Sequence, residues 1–236
     1  MLRAPALVLA IALLAACGGD DSADQDAAET RSAQARQIAR DAGLSPAVQD
    51  FMADAAGAVG RTYSVEYRLG ESDRSTVVQD PPHRRLEFAL QGDGVPVTRL
   101  FITNDDGTFG CAELAGEWSC QRNSEEPAGF GPLALGDVEE ATQDLVEATA
   151  DYSFAIESRR LAGVTARCLV TERKPGRPAD PARGDRGVLC ISPEGVPLLI
   201  EGSQGNLTAV SYRTRAPRDA FRLPARPDGS GPTSTS

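Results

Sequence analysis

The sequence predicts an α+β domain: a curved antiparallel half-barrel sheet of about 10–11 strands with two helices packed on its concave face. Three observations predict it. Apolar residues recur at helical spacing in two main places, once near the start of the folded part and once midway. Elsewhere they alternate with polar residues over short segments, the pattern of half-buried strands. Brief turns rich in Gly, Asn and Asp join those segments, whereas parallel neighbours would need long crossovers.

Each element follows in order. Residues 30–41 are polar and alanine-rich and predict a frayed helix. Ser45 and Pro46 form an N-cap followed by proline at the first helical position. Val48, Phe51, Met52, Ala55 and Val59 then make one apolar stripe, which Gly60 closes. From Arg61 the period becomes two. Tyr63, Val65, Tyr67 and Leu69 mark a strand over 62–69, a short strand at 75–78 stops before Pro81-Pro82, and Leu86, Phe88 and Leu90 mark another over 84–90. A strand over 97–103 turns at Asn104-Asp105-Asp106-Gly107 into 108–114, which pairs through Ala115-Gly116 with 117–122. Helical spacing returns over 133–148 through Val138, Ala141, Leu145 and Val146. Strands resume at 152–160, 164–173, 188–192, 197–203 and 207–214, with Glu194-Gly195 and Gln204-Gly205-Asn206 as the last turns.

The N-terminus is an address. Arg3 precedes an apolar run from Ala4 to Ala16, shorter than the roughly 20 residues a spanning helix needs, so it reads as a signal-peptide core. The run ends in Leu14-Ala15-Ala16-Cys17, which resembles the lipobox of bacterial lipoproteins. That resemblance implies cleavage before Cys17 and a lipid anchor on its thiol, holding the protein on the extracytoplasmic face of the cell membrane. Gly18 to Glu29 carries Asp20, Asp21, Asp24, Asp26 and Glu29 and no large apolar residue. The expected organisation is a signal peptide over 1–16, a flexible acidic tether over 17–30, one folded domain over 31–224 and a disordered tail over 225–236.

Composition excludes several functions. Lys+Arg is 24 against Asp+Glu 34, a formal net charge of -10, so a nucleic-acid partner is not expected. His83 is the only histidine, and beside Pro81-Pro82 it reads as a loop residue. Gly-x-Ser-x-Gly, Walker and Gly-x-Gly-x-x-Gly motifs are absent, and Asn104 to Gly107 lacks the spacing and closing glutamate of a calcium loop. The expectation is a non-enzyme without metal or cofactor.

Four cysteines remain beyond Cys17: Cys111, Cys120, Cys168 and Cys190. Their spacing suits neither a zinc site nor a Cys-x-x-Cys redox pair, and an even number in an exported chain reads as two disulfides. Three pairings exist. The strand assignment favours Cys111–Cys120 across one hairpin and Cys168–Cys190 across another adjacent pair.

The layout resembles the LolA/LolB-like lipoprotein and lipid carriers, including LppX/LprG-type mycobacterial lipoproteins. The features that carry the resemblance are the helix at 45–59 running into Thr62-Tyr63-Ser64-Val65-Glu66-Tyr67, and the helix at 138–147 midway through the strands. The turn Ser192-Pro193-Glu194-Gly195-Val196-Pro197-Leu198 and the closing Phe221-Arg222-Leu223-Pro224 belong to it too. The resemblance implies an open half-barrel whose apolar concave face holds acyl chains. The inward sets that would line it are Tyr63, Val65 and Tyr67; Leu86, Phe88 and Leu90; Tyr152, Phe154 and Ile156; and Val210 and Tyr212. The same residues would equally form a packed core under the helices. Two functions are therefore expected from the sequence: an anchored carrier of a lipid or other apolar ligand, or an anchored module that binds another envelope protein.

Overall fold

The computed structural model describes residues 21–92, 95–123, 145–178, 180–181, 183–203 and 205–227. Among the described residues the fold is α+β, an open antiparallel half-barrel sheet of eleven strands with helices packed on one face. Cys17 and the segment 1–16 lie outside the described residues, as does most of the helix expected at 133–148, of which only a helical turn at 145–148 is described.

Helix α1 spans Asp21–Asp41 and helix α2 spans Pro46–Gly57, followed by a 3₁₀ turn at Ala58–Gly60. α1 begins well before residue 30, which corrects the flexible tether expected over 17–30 from Asp21 onward. The physical reason is an alanine stripe. Ala28, Ala35 and Ala39 are buried at helical spacing, and Ala35 and Ala39 pack with Val48, Phe51 and Met52 of α2, so small side chains let the two helices approach closely. Gly43, at φ 71°, closes α1 in the left-handed conformation, and the Leu44 N–H donates to the Ala39 carbonyl at 3.1 Å. α2 starts at extended Ser45 with Pro46 at its head, as the sequence indicates.

The strands are β1 Tyr63–Leu69, β2 Asp73–Asp80, β3 His83–Gly92, β4 Val95–Asn104, β5 Gly107–Leu114, β6 Glu117–Asn123, β7 Tyr152–Leu161, β8 Val164–Arg173, β9 Arg186–Ile191, β10 Pro197–Gly202 and β11 Gly205–Arg213. Their order is β6-β5-β4-β3-β2-β1-β11-β10-β9-β8-β7, two antiparallel meanders joined where the first strand pairs with the last. Tight turns fix the registers. Ala115-Gly116 and Ala162-Gly163 each place two successive residues at positive φ, which suits the right-handed twist of a hairpin. His83 is the first residue of β3, opposite Asp80, rather than a loop residue as expected, because the turn at Pro81-Pro82 is only two residues long.

Three apolar clusters hold the sheet. The largest joins Tyr63, Val65, Tyr67, Val77, Leu86 and Phe88 with Cys168, Val188, Cys190 and Leu198. A second places Phe51 and Met52 of α2 against Leu169 and Ile191. Since Leu169 alternates with Cys168, and Ile191 with Cys190, β8 and β9 are buried on both faces. The third packs Leu100, Ile102, Cys111 and Cys120 under Trp118, Phe221, Leu223 and Ala225. The C-terminal segment is thus ordered through Pro227, which meets Cys120 in a β-bridge, a correction at 225–227 to the disordered tail expected from residue 225. Alternate apolar residues from Phe221 to Ala225 account for this, with Asn104 Nδ2 donating to the Phe221 carbonyl at 3.0 Å and Arg85 to that of Ala220 at 3.1 Å.

Candidate ligand-binding face

The predicted lining residues fall into rows across the sheet. Val65 lies opposite Val77, Val77 opposite Leu86 and Leu86 opposite Phe101. Tyr67 lies opposite Ser75, which lies opposite Phe88. Tyr63, Val65 and Tyr67 are at most 2% exposed, and Leu86 and Phe88 at most 7%. Leu69, Leu90, Phe101, Leu161, Val164 and Ile200 are only partly buried against the same cluster. The apolar face is therefore filled at its centre and open at its rim.

The other predicted residues are divided. Phe154 and Ile156 project into the cluster under α2, alongside Leu169 and Leu189. Tyr152 is buried and its hydroxyl donates to the Gly184 carbonyl at 2.7 Å. Val210 is 41% exposed, a correction to its expected inward position. The cause is a β-bulge: Ser211 sits opposite Glu66 and Ala209 opposite Tyr67, so Val210 is the extra residue and turns outward while Tyr212 and Ala209 keep the inner face. The structure brings Tyr63 to Phe88 together and sets Phe154 and Ile156 apart from them.

The buried tyrosine hydroxyls on this face have partners, whereas the buried Ser75 Oγ has none among the described residues. The Tyr67 hydroxyl reaches across β11 to donate to the Pro197 carbonyl at 2.7 Å. Burial pushes the Tyr63 phenol up to about 12 against a partial offset from the nearby positive charge of Arg84, and it holds Tyr67 well above its ordinary value. A folded-state value above the unfolded 10.0 means that stability is fully present below pH 10 and is lost as the pH rises toward 12. Tyr63→Phe should therefore reduce the steepness of alkaline destabilisation between pH 10 and 12, by up to about 1.4 kcal/mol per pH unit. Urea midpoints measured across that range check it; parallel curves for both proteins would remove Tyr63 from the account.

Several polar positions were not legible as important in the sequence. Gln79 is buried and its Nε2 donates to the carbonyls of Ala58, Val59 and Arg61 at 3.1, 2.5 and 3.2 Å, capping the 3₁₀ turn. Ser192 accepts from the N–H groups of Glu194 and Val196 at 3.1 and 3.2 Å. Tyr212 donates to Glu194 Oε2 at 2.6 Å. Burial raises the Glu194 carboxyl, but hydrogen bonds from Tyr212, Ser192 and its own N–H, with the field of Arg61, hold it below its usual range. This network ties the β9–β10 turn to β11. Gly195 in the same turn has φ 85°, and a Cβ there would lie 1.9 Å from the Asp54 carbonyl oxygen, so the turn packs directly on α2.

The cysteines pair as Cys111–Cys120 and Cys168–Cys190, each directly across two neighbouring strands. His83 Nε2 lies 2.8 Å from Asp105 Oδ1 and its ring packs on Phe221, 5.4 Å between centroids. Arg167 of β8 pairs with Asp54 of α2. Among the described residues no group of three or more His, Cys, Asp or Glu could hold a metal ion.

A separate cavity of about 330 Å³ lies between α1 and the end of α2, bordered by Glu29, Ser32, Arg36, Gly57, Gly60 and Arg61 among others. None of the predicted lining residues borders it.

No family model and no curated protein matches this chain. Among solved structures, it is similar to the crystal structure of a DUF1329 family protein from Desulfovibrio piger, with 10% identity over 75% of this chain and 92% of that one and a TM-score of 0.24.

Proposed function

We propose that the protein is a membrane-anchored extracytoplasmic lipoprotein, tethered through lipidated Cys17, that binds a lipid or other apolar molecule without catalysing a reaction. The observation that supports it is the apolar face of β1–β4. Its centre is buried at Tyr63, Val65 and Tyr67, while Leu69, Leu90 and Phe101 remain partly open at the rim, where an acyl chain would enter. The open antiparallel half-barrel sheet with helices on one face supports the LolA/LolB-like reading.

The test exchanges residues 1–17 for a signal peptide that is cleaved without lipidation. The exchanged protein should be recovered from the periplasm without detergent, while the native sequence stays with membranes through carbonate washing. Organic extraction and mass spectrometry of the recovered protein should give stoichiometric lipid. Lipid-free protein that also takes up no fluorescent fatty acid would overturn the carrier reading, and native protein that washes off membranes would overturn the anchor. A second reading, an anchored module for another envelope protein, has its own supporting observation. The inward side chains already pack against one another, and that module would need no internal ligand.

A further inference from the structure

We propose that the cleft between α1 and the end of α2 binds a small zwitterionic group, with Arg36 and Arg61 holding its acidic oxygens and Glu29 its ammonium. Its volume, about 330 Å³, lies in the range of small-molecule sites. Gly57 and Gly60 place no side chain on its wall, and Gly57 lets α1 approach closely, since a Cβ there would come within 2.6 Å of Ser32 Oγ.

Arg36 borders the cleft and pairs with Asp50 at 3.1 Å through one terminal nitrogen, which holds its guanidinium in place there. Arg61 adds a second guanidinium and Ser32 a hydroxyl. Guanidinium groups match the oxygen pairs of carboxylates and phosphates.

Charge balance selects the ligand class. Two arginines are offset by Glu29 and by Asp50, which Arg36 already engages. A bare anion would face Glu29 and the carbonyl end of α2, which carries partial negative charge. A bare cation would face both arginines. A ligand with both signs meets each group with its opposite. A free amino acid, free phosphoethanolamine and the headgroup of an amino-bearing phospholipid share this chemistry. The inference does not depend on a lipid filling the half-barrel.

The test is calorimetric titration of the full-length protein in nonionic detergent with phosphoethanolamine, ethanolamine and inorganic phosphate separately. Phosphoethanolamine should bind at least about tenfold more tightly than either half. Arg36→Gln and Arg61→Gln should each weaken it about tenfold or more, and Glu29→Gln should bring it down to the level of phosphate. Unchanged melting temperatures establish that these exposed-side substitutions leave the fold intact. Tighter binding of water-soluble dihexanoyl phosphatidylethanolamine than of phosphoethanolamine would assign the site to a lipid headgroup; exclusion of it would assign the site to a free zwitterion. Phosphate binding as tightly as phosphoethanolamine, no saturable heat with phosphoethanolamine, or variants that bind like the native protein would each overturn the proposal.

Discussion

Phe51→Ala is expected to lower stability by about 3–5 kcal/mol, the range for deleting a fully buried aromatic ring. Phe51 is 0% exposed and is the largest fully buried side chain of the cluster that joins α1 and α2 to β7, β8 and β9. Val48, Met52, Leu169 and Ile191 surround it, and these cannot close the gap without moving α2 off the sheet. Nearby ties are too weak to compensate: the Arg167–Asp54 pair that also joins α2 to β8 is partly exposed on both sides, where ion pairs contribute little. A urea midpoint that falls with little change in slope would report this loss. Leu114→Ala, at a side chain 64% exposed, should change stability by less than about 0.5 kcal/mol. Similar effects for the two substitutions would mean that the helix pair does not depend on the sheet.

Much of this architecture was legible because the sheet is antiparallel and its inner face apolar. Alternation at Tyr63-Val65-Tyr67 and Leu86-Phe88 identified both the strands and their inward sides, since a period of two has only two outcomes. The disulfide pairing was legible for the same reason: each pair of cysteines lies on neighbouring strands. Val210 was misplaced because a bulge is an event of pairing, set by the partner strand β1, and β11 alone reads as regular. The early start of α1 was hidden because its buried stripe is alanine, which carries no hydrophobic signal distinct from a solvated, acidic segment. The closing contact of β1 with β11 and the cleft beside Arg36 depend on how distant elements dock, which local pattern does not encode.

Removing the Cys168–Cys190 bridge should cost about 3–4 kcal/mol on the chain-entropy account, and removing Cys111–Cys120 somewhat less, about 2.5–3 kcal/mol. The order follows from loop length. The cysteines are separated by 22 residues in the first case and 9 in the second, so the first bridge excludes more of the unfolded ensemble. Packing reinforces it. Cys168 and Cys190 are both 0% exposed in the central cluster and span the long 174–185 connection, whereas Cys111 and Cys120 join strands already held by a two-residue turn. Alanine at both positions of each pair, compared by urea unfolding, tests the ranking; equal losses would show that the native contacts, not the loops, set the effect. The same variants bear on where the protein works. Disulfides of this kind persist in oxidising compartments and are reduced in the cytosol. Native protein expressed without residues 1–17 in a reducing cytosol should therefore match the stability of the four-alanine variant, and the exported form should exceed it by the contribution of both bridges. If the cytosolic form is as stable as the exported one, neither bridge needs export, and the proposed link between export and the fold is lost.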